Sequence, residues 1–364
     1  MEDLLYKIAL TQVSKVGAKT ARNLISYCGG VRQVFEASVK ELVRIPGIGR
    51  SIAQNVKQKK VLQQAEQEMQ FLESNGVKAL FYLDEEYPNR LKHFDDSPIM
   101  LYYKGAADLN TQRIVAIVGT RKPTPYGIGV CEALIEALVP YNVLVVSGLA
   151  YGVDITAHRK CLEVGLSTVG VLGHGLKHIY PAQHRRVAEM MIQSGGLLSE
   201  YTSGTRPERE YFPMRNRIVA GLCDALIVVE TAKKGGSMIT AKMANDYNRD
   251  VFAVPGRVGE KLSEGCNHLI KSHQAALLES TKDLAYVMQW EEKEKKSGKQ
   301  GQLFFDLSEE EKIIVDLLEN REAVGIEHLL LSAEMPSSVM AGNLLNLEFK
   351  GLVRSLPGKR YILV

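Results

Sequence analysis

The sequence predicts an α/β protein in which a doubly wound sheet lies between a helical N-terminal domain and a small C-terminal domain. Six short, almost wholly apolar runs between residues 114 and 254 alternate with stretches long enough for helices. Parallel strands that are covered on both faces have this composition, and the alternation indicates right-handed βαβ units. Glycine turns dominate the first 60 residues, and a charged stretch precedes the last 60, so neither end follows the pattern of the sheet.

The first 75 residues are predicted to form short helices joined by glycine turns. Gly17 and Gly47 belong to two similar pieces that lie 30 residues apart, which is typical of one duplicated helix-turn-helix unit. A charged third helix is expected from Val56 to about Glu73. This pattern predicts a domain of the SAM-like, helix-hairpin-helix kind.

The second turn of this domain, Gly47-Ile48-Gly49, has a form that can contact DNA. Backbone N–H groups at the start of a helix can hold a phosphate, and arginines and lysines lie nearby in the sequence. The residues that would make such contacts are Gly47, Gly49 and Arg50. The alternative, which is slightly favoured, is a turn that serves only packing.

The middle domain, residues 76–287, contains the strands of the sheet. In doubly wound sheets, ligands bind beyond the carboxyl ends of the strands. The predicted strands are Ile114–Val118, Val143–Val146, Thr168–Leu172, Gly196–Ser199, Ala225–Val229 and Val251–Val254.

Residues 288–303 are predicted to be a charged linker, because they lack apolar residues that could anchor them. In residues 304–364, Ser308 and Glu311 form the capping box of a first helix. Further helices are expected at about residues 325–331 and 337–350, followed by a hairpin around Pro357-Gly358. Three helices followed by a hairpin indicate a winged helix.

The net charge of +3 is the sum of regions whose charges differ in sign. Of 45 basic and 42 acidic residues, the first 92 residues hold an excess of four basic groups, whereas the last 63 hold an excess of four acidic groups. A charged partner that binds both ends would therefore be attracted by one end and repelled by the other.

No apolar stretch approaches the roughly 20 residues that a membrane-spanning helix needs, and the acidic start is unlike a secretory signal. Five scattered cysteines without a C-x-x-C pair indicate reduced thiols and argue against a zinc site. We therefore expect a cytoplasmic protein that has no membrane contact and no metal.

Four predicted strands are followed by glycine turns that could hold phosphates, because glycine lets backbone N–H groups approach an anion. Any doubly wound fold also needs tight turns, which is the plain structural alternative. Neither G-x-G-x-x-G after the first strand nor a P-loop is present, so we expect no nucleotide cofactor. The turns contain Gly119, Gly148, Gly173-His174-Gly175 and Gly235-Gly236.

Residues 206–217 combine four arginines with two aromatic residues directly before an apolar helix. The forked guanidinium group of arginine matches the oxygens of a phosphate. An exposed aromatic ring can stack on any base, whatever the sequence of the strand. This pairing is typical of single-stranded nucleic-acid binding. The alternative is a solvated loop in which Arg215 or Arg217 pairs with Glu200 or Glu230 and Phe212 packs in the core.

Eight segments between residues 117 and 270 form an ordered set of motifs: 117–121, 147–154 with Ala157-His158, Tyr180-Pro181, 198–200, 212–218, 236–241, 254–256 and 265–270. In order and spacing these segments resemble the DNA-processing protein A family (DprA, also called Smf), over about residues 80–278. The flanking parts resemble the extra helical and winged-helix domains that some members carry.

The resemblance implies an extended Rossmann-like fold that forms a homodimer and binds single-stranded DNA during natural transformation. It further implies that the protein protects incoming strands, displaces or bypasses the single-strand-binding protein, and loads a RecA-type recombinase. No catalysis is implied, so we expect a protein that is not an enzyme.

The resemblance also implies which residues contact DNA. Arg121 matches an arginine that contacts phosphate, Gly236 and Ser237 match donors of the pocket, and Phe212 matches the aromatic near an inserted base. The full expected DNA-binding set is Gly119, Arg121, Arg185, Arg209, Phe212, Arg215, Asn216, Arg217, Gly236, Ser237 and Lys242.

This sequence departs from the family at two places. Ala182 stands where some members have lysine after the Tyr-Pro pair, so the basic role there would pass to Arg185 or Arg186. Residues 271–275 replace a usual Gly-Ala pair on the helix expected at the dimer face.

The winged helix is expected to contact protein more than DNA, because its recognition-like helix offers Lys350 as its one cation, beside Glu348. Arg354, Lys359 and Arg360 on the wing keep the DNA alternative open.

A rival function is that of a nucleotide-cleaving phosphoribohydrolase of the lysine-decarboxylase-like group, which shares the sheet and a glycine-rich turn. Lys242 stands where the catalytic glutamate of that group should be, and a cation cannot act as a carboxylate base. Asp154 and His158 could indicate acid–base chemistry, but a helix cap and a surface pair are expected instead.

Overall fold

A computed structural model describes residues 2–290, 307–318, 324–333, 335–350, 352–356 and 359–363. The chain forms two compact units, Met1–Lys293 and Glu294–Val364. The linker predicted at 288–303 lies outside the described residues from residue 291 onward. The predicted boundary at residue 75 falls inside the first unit, and the domain limits stay predictions.

The N-terminal part is helical, as predicted. Gly17 is the N-cap of α2 and Gly49 is the N-cap of α5. The charged third helix begins at Lys59 rather than Val56, because Val56 ends α5. The helices are α1 (Glu2–Gln12), α2 (Ala18–Cys28), α3 (Val31–Glu36), α4 (Val39–Leu42), α5 (Arg50–Val56) and α6 (Lys59–Asn75).

Within the described residues the sheet of the first unit has nine strands, in the order β1-β2-β6-β5-β4-β3-β7-β8-β9. Strands β3 to β9 are parallel to one another. Strand β2 pairs antiparallel with β6, and β1 pairs antiparallel with β2 at the edge of the sheet. The strands are β1 (Lys78–Phe81), β2 (Met100–Gly105), β3 (Ile114–Val118), β4 (Leu144–Ser147), β5 (Thr168–Leu172), β6 (Gly196–Ser199), β7 (Ala225–Val228), β8 (Asp250–Ala253) and β9 (Ala276–Leu277).

Helices connect these strands and cover the sheet. Two short 3-10 turns, Val139–Tyr141 and Ala182–His184, precede β4 and α10. The helices are α7 (Asn89–Lys92), α8 (Pro125–Leu138), α9 (Val153–Val164), α10 (Arg185–Ser194), α11 (Tyr211–Leu222), α12 (Gly236–Asp246), α13 (Glu264–Lys271) and α14 (Thr281–Val287).

Both faces of the central strands are buried, which explains their unbroken apolar composition. Successive residues of β3 belong to different cores: Ile114 and Ala116 pack on one face, and Val115 and Ile117 pack on the other. All four are fully buried. The glycine turn after β3 therefore follows a central strand that is packed on both faces.

The second unit is a winged helix whose described residues form three helices and a three-stranded sheet in the order β10-β12-β11. Its capping box is present: Ser308 N donates to Glu311 Oε2 at 2.9 Å, and Glu311 N donates to Ser308 Oγ at 3.1 Å. The predicted turn at Pro357-Gly358 lies outside the described residues. The elements are α15 (Glu309–Leu318), β10 (Val324–Gly325), α16 (Ile326–Ala333), α17 (Ser337–Phe349), β11 (Val353–Leu356) and β12 (Arg360–Leu363).

Candidate nucleic-acid interface

A cleft of about 630 Å³ opens where β3, β4 and β7 end. The starts of α9, α11 and α12 complete its wall, as expected for a ligand site beyond the carboxyl ends of parallel strands. Eight residues of the expected DNA-binding set line this cleft together: Gly119, Arg121, Arg209, Phe212, Arg215, Asn216, Gly236 and Ser237.

The N-terminus of α12 forms one end of the cleft. Gly235 is its N-cap, and the first turn carries no acidic residue. Ser237 is 6% exposed, and in the described part of the chain its Oγ has no hydrogen-bond partner. Free N–H groups at a helix start and an unpaired buried hydroxyl are suited to an anion such as phosphate.

The aromatic part of the cleft is built by Phe212 and Tyr180, whose ring centroids lie 5.7 Å apart. Tyr180 is 48% exposed. Phe212 packs close to the backbone of Gly173, at the end of β5, because that residue has no side chain. Two aromatic rings, tilted by 41° to each other, are thus available at the cleft, and the face of either could stack on a base.

Three arginines line the cleft in two different environments. Arg121 and Arg209 are exposed, whereas Arg215 is 5% exposed and its Nη1 donates to Val171 O at 2.5 Å. Burial lowers the pKa of Arg215, and the buried carboxylate of Asp154 opposes that shift. Arg121 and Arg209 are therefore the cations that can meet phosphates, and Arg215 is a fixed part of the floor.

Three other expected residues lie outside the lining of this cleft. Arg217 forms an ion pair with Glu200, with 2.6 Å between Nη2 and Oε2, and both side chains are largely buried. This is one of the pairs that the loop alternative anticipated. Arg185 is exposed at the start of α10, and Lys242 is exposed on α12. Their contact with DNA stays a prediction.

Asp154 and His158 are buried, so the expectation of a surface pair on α9 was wrong. His158 Nδ1 lies 2.7 Å from Thr168 Oγ1, and Nε2 contacts Gly148 O. Burial lowers the pKa of His158 to about 4. Because α9 packs against the sheet, both side chains face the interior, and His158 is held as a neutral structural ring.

Sequence reasoning singled out neither Tyr180 nor His174 as a site residue. Tyr180 lines the cleft, and His174 lines a smaller cavity beside it. The sequence signal for His174 was its place inside the glycine turn after β5, and the signal for Tyr180 was the Tyr-Pro pair.

The helix-hairpin-helix turn has the expected local form. Gly47 has a φ of +80°, which favours glycine, and Gly49 caps α5. Arg50 is exposed at the start of that helix. Phosphate contact at Gly47, Gly49 and Arg50 stays a prediction.

In the winged helix, Lys350 is neutralised by the buried Glu311, with its Nζ 2.8 and 2.7 Å from the two carboxylate oxygens. Leu345 and Phe349, one turn apart on α17, are 54% and 83% exposed. The helix thus presents apolar side chains and a cation that is already paired.

Over the residues that the structure describes, no cluster of metal-ligating side chains is found, and no helix is long and apolar enough to cross a membrane.

Three family models match consecutive parts of the chain. The model of the DNA recombination-mediator protein A matches residues 78–289, and a SAM-like helix-hairpin-helix tandem matches residues 7–59. The DprA winged-helix model matches residues 303–359. These matches confirm the predicted fold class at both ends as well as in the centre.

Curated relatives cover most of the chain. A putative DNA processing protein DprA of Mycobacterium tuberculosis is 33% identical over 347 residues, which are 92% of this chain and 89% of that protein. Protein Smf of Synechocystis is 37% identical over 289 residues, 77% of this chain and 71% of that protein. DprA of Streptococcus pneumoniae is 41% identical over 202 residues, which are 56% of this chain and 71% of that protein.

Two solved structures have the same fold. The X-ray structure of DprA from Streptococcus pneumoniae has a TM-score of 0.65 at 33% identity, and covers 78% of this chain and 97% of that one. A structure of DprA from Helicobacter pylori, described for its single-stranded DNA binding mode, has a TM-score of 0.53 at 33% identity. It covers 58% of this chain and 95% of that one.

Proposed function

Since the chain belongs to the DNA recombination-mediator protein A family, we propose that it binds single-stranded DNA in the cleft beyond β3, β4 and β7. In this proposal Arg121 and Arg209 meet phosphates at the open side. The start of α12, with Gly236 and Ser237, holds one further phosphate, and Phe212 stacks on a base.

One observation carries this proposal: three kinds of group that single-stranded DNA needs line one cleft. They are exposed guanidinium groups, a helix N-terminus with an unpaired buried hydroxyl, and an aromatic pair. Phosphate contacts supply affinity on any sequence, and stacking is tolerant of sequence because every base has an aromatic face.

The wider role that we propose is that of a recombination mediator of natural transformation. Such a protein protects incoming strands, displaces the single-strand-binding protein, and loads a RecA-type recombinase in the cytoplasm. Support comes from the name of the matching family model and from the DNA processing proteins among the relatives. We further propose a homodimer through the Rossmann-like domain, and a winged helix that contacts protein through the exposed side of α17.

We propose that this cleft acts by binding rather than by catalysis. The residue at the position of the rival group's catalytic glutamate, Lys242, is exposed and outside the cleft, and Asp154 is buried beside Arg215. Release of a free base from a nucleoside monophosphate would favour the phosphoribohydrolase instead.

The proposal is tested by removing a cleft cation and, separately, a cation outside the cleft. Arg121→Ala should weaken binding of an oligo-dT strand about tenfold, and do so for other sequences alike, because it loses a charged phosphate contact. Lys282→Ala removes the same charge from α14, outside the lining of the cleft, and should change binding less than twofold. Equal affinities of wild type and Arg121→Ala would overturn the site.

A further inference from the structure

A second, smaller cavity adjoins the cleft. It measures about 60 Å³ and shares Arg121, Tyr180, Phe212 and Arg215 with the cleft. Its remaining wall includes His174, from the glycine turn after β5. A volume that holds one or two waters is too small for a whole base, but it suits the polar atoms at one edge of a base whose ring lies in the cleft.

Two side chains of this cavity carry buried nitrogen atoms that lack partners. His174 is 1% exposed and Arg215 is 5% exposed. Within the described chain, neither His174 Nε2 nor Arg215 Nε has a hydrogen-bond partner. Buried polar atoms of a folded protein are nearly always hydrogen-bonded, so two side chains with such atoms in the wall of one cavity indicate a ligand.

The protonation of both nitrogens follows from their neighbours. His174 Nδ1 lies 3.1 Å from Gly175 O, and because a carbonyl only accepts, this contact is a hydrogen bond in the tautomer with its hydrogen on Nδ1, in which Nε2 is an acceptor. Burial lowers the pKa of His174 and favours the neutral ring, whereas hydrogen bonds to the backbone of Gly175 and Tyr180 act in the opposite direction and raise that pKa. Arg215 Nε is a donor, and the bond from Nη1 to Val171 O fixes its guanidinium.

A donor beside an acceptor is what the Watson–Crick edge of every nucleobase offers. Thymine presents N3–H between two carbonyl oxygens, cytosine presents an amino group beside N3, and the purines present equivalent pairs. In a duplex this edge is occupied by the opposite base, whereas in an unpaired strand it is open. A protein donor and acceptor at that edge therefore distinguish single strands from duplexes without selecting a sequence.

We propose that His174 and Arg215 bind the Watson–Crick edge of one unpaired base, and that this contact is how the cleft selects single-stranded over duplex DNA. The inference rests on the proposed function, because it places a DNA strand in the cleft. It adds His174 to the site and gives Arg215 contact with a base instead of a phosphate.

The test uses the full chain and three oligonucleotides of equal length, with affinity measured by fluorescence anisotropy. Oligo-dT has the complete edge, oligo-deoxyuridine lacks only the 5-methyl group, and an oligomer of N3-methylthymidine keeps stacking and phosphates but blocks the edge. We expect wild type to bind the first two alike and the third about tenfold more weakly, the value of one buried hydrogen bond.

Substitutions at His174 test whether this side chain causes the weaker binding of the N3-methylthymidine strand. His174→Ala should bind oligo-dT more weakly, distinguish the N3-methyl strand less than twofold, and lower the ratio of single-strand to duplex affinity. His174→Gln keeps an acceptor and a donor towards Gly175 O, and should retain part of the discrimination. His178→Ala, a histidine three residues from the turn and outside both cavities, should behave as wild type.

Two results would overturn the inference: equal binding of the N3-methyl strand and oligo-dT by wild type, or an N3-methyl loss in His174→Ala as large as in wild type. Both leave the cleft itself intact, provided that Arg121→Ala still weakens binding. If Arg121→Ala has no effect, the proposed function fails first.

Discussion

At the scale of single residues, Gly173 decides where Phe212 can lie. A Cβ built on Gly173 would be 3.1 Å from Phe212 Cδ1 and 3.3 Å from its backbone nitrogen. Such contacts are tighter than ordinary van der Waals packing, so any side chain at this position forces the aromatic ring or the start of α11 to move.

Gly173→Ala should therefore weaken single-strand binding several-fold by displacing the stacking surface. The matched control is Gly129→Ala on α8, where, among the described residues, no atom beyond the adjacent residues and the nearby backbone of α8 lies within 4 Å of the new Cβ. Alanine there improves helix propensity, so binding should stay constant and thermal stability should rise slightly. Unchanged binding by Gly173→Ala would show that the position of Phe212 does not matter.

A second residue-scale prediction concerns the buried His158. Its pKa is about 4 in the folded chain and near 6.5 when exposed in the unfolded chain, so the unfolded state binds more protons between those values. The free energy of unfolding should therefore fall as pH drops from about 6.5 towards 4, by at most about 1.4 kcal/mol per pH unit from this group.

Chemical denaturation of wild type and His158→Gln at several pH values separates this contribution from that of the carboxyl groups. The glutamine variant cannot titrate and should show a shallower dependence on pH in this window. Parallel curves for the two proteins would mean that His158 is not held neutral.

The sequence predicted the residues whose chemistry is local. Arg121, Phe212, Gly236 and Ser237 stand in motifs directly after strands, and the structure brings them to one cleft. Pairing between distant residues stayed open at the level of sequence. Arg217 was expected either to contact DNA or to pair with a carboxylate such as Glu200, 17 residues away, and the structure joins Arg217 to Glu200.

At the scale of elements, α12 is the part of the cleft that most depends on helix electrostatics. Its N-terminus carries partial positive charge and free N–H groups, which favour an anion. Gly236, the first residue of the helix, is exposed, and a Cβ there would meet no described atom within 4 Å beyond the adjacent residues and the nearby backbone of α12. A side chain can therefore be added without disturbing the fold.

Gly236→Asp should keep or raise thermal stability, because an acidic first turn suits the helix dipole, and should weaken DNA binding at least tenfold by occupying the phosphate position. Gly236→Asn has nearly the same shape without the charge and serves as the control. If both variants bind alike, the start of α12 does not hold a phosphate.

Among the elements, the six predicted strands are all present, and three of them, β3, β5 and β6, have the predicted bounds. Strands β1 and β2 were not predicted, because the antiparallel pairing that forms them joins distant residues such as Tyr102 and Ser199. Strand β10 of the winged helix has two residues and exists through pairing with β12. Short strands of this kind leave no periodic signal in the sequence.

At the scale of the whole molecule, the small net charge conceals an uneven distribution. The basic helical head (+4), the nearly neutral sheet (+2), the stretch 288–303 (+1) and the acidic winged helix (−4) add to +3. Affinity for DNA depends on the cations that reach phosphates and not on this total. Arg121 and Arg209 line the cleft, whereas Arg217 and Lys350 are already paired with carboxylates.

Binding of oligo-dT should depend on salt concentration, because phosphate contacts release counterions from the strand. With about three phosphates held per chain, by Arg121, Arg209 and the start of α12, the logarithm of the affinity for oligo-dT should fall against the logarithm of salt concentration with a slope of about −2. Arg121→Ala should reduce the magnitude of that slope by somewhat less than one. A slope near zero would mean that phosphates contribute little to binding.

The central claim, that single-stranded DNA lies in the cleft beside Phe212, is tested most directly by photocrosslinking. An oligo-dT strand that contains 4-thiothymidine is irradiated with the full chain, and the crosslinked peptides are identified by mass spectrometry. The account predicts crosslinks within residues 173–181 and 206–217, which are lost with excess unlabelled single strand. Crosslinks confined to residues 44–60 of the helical domain or to 337–363 of the winged helix would contradict it.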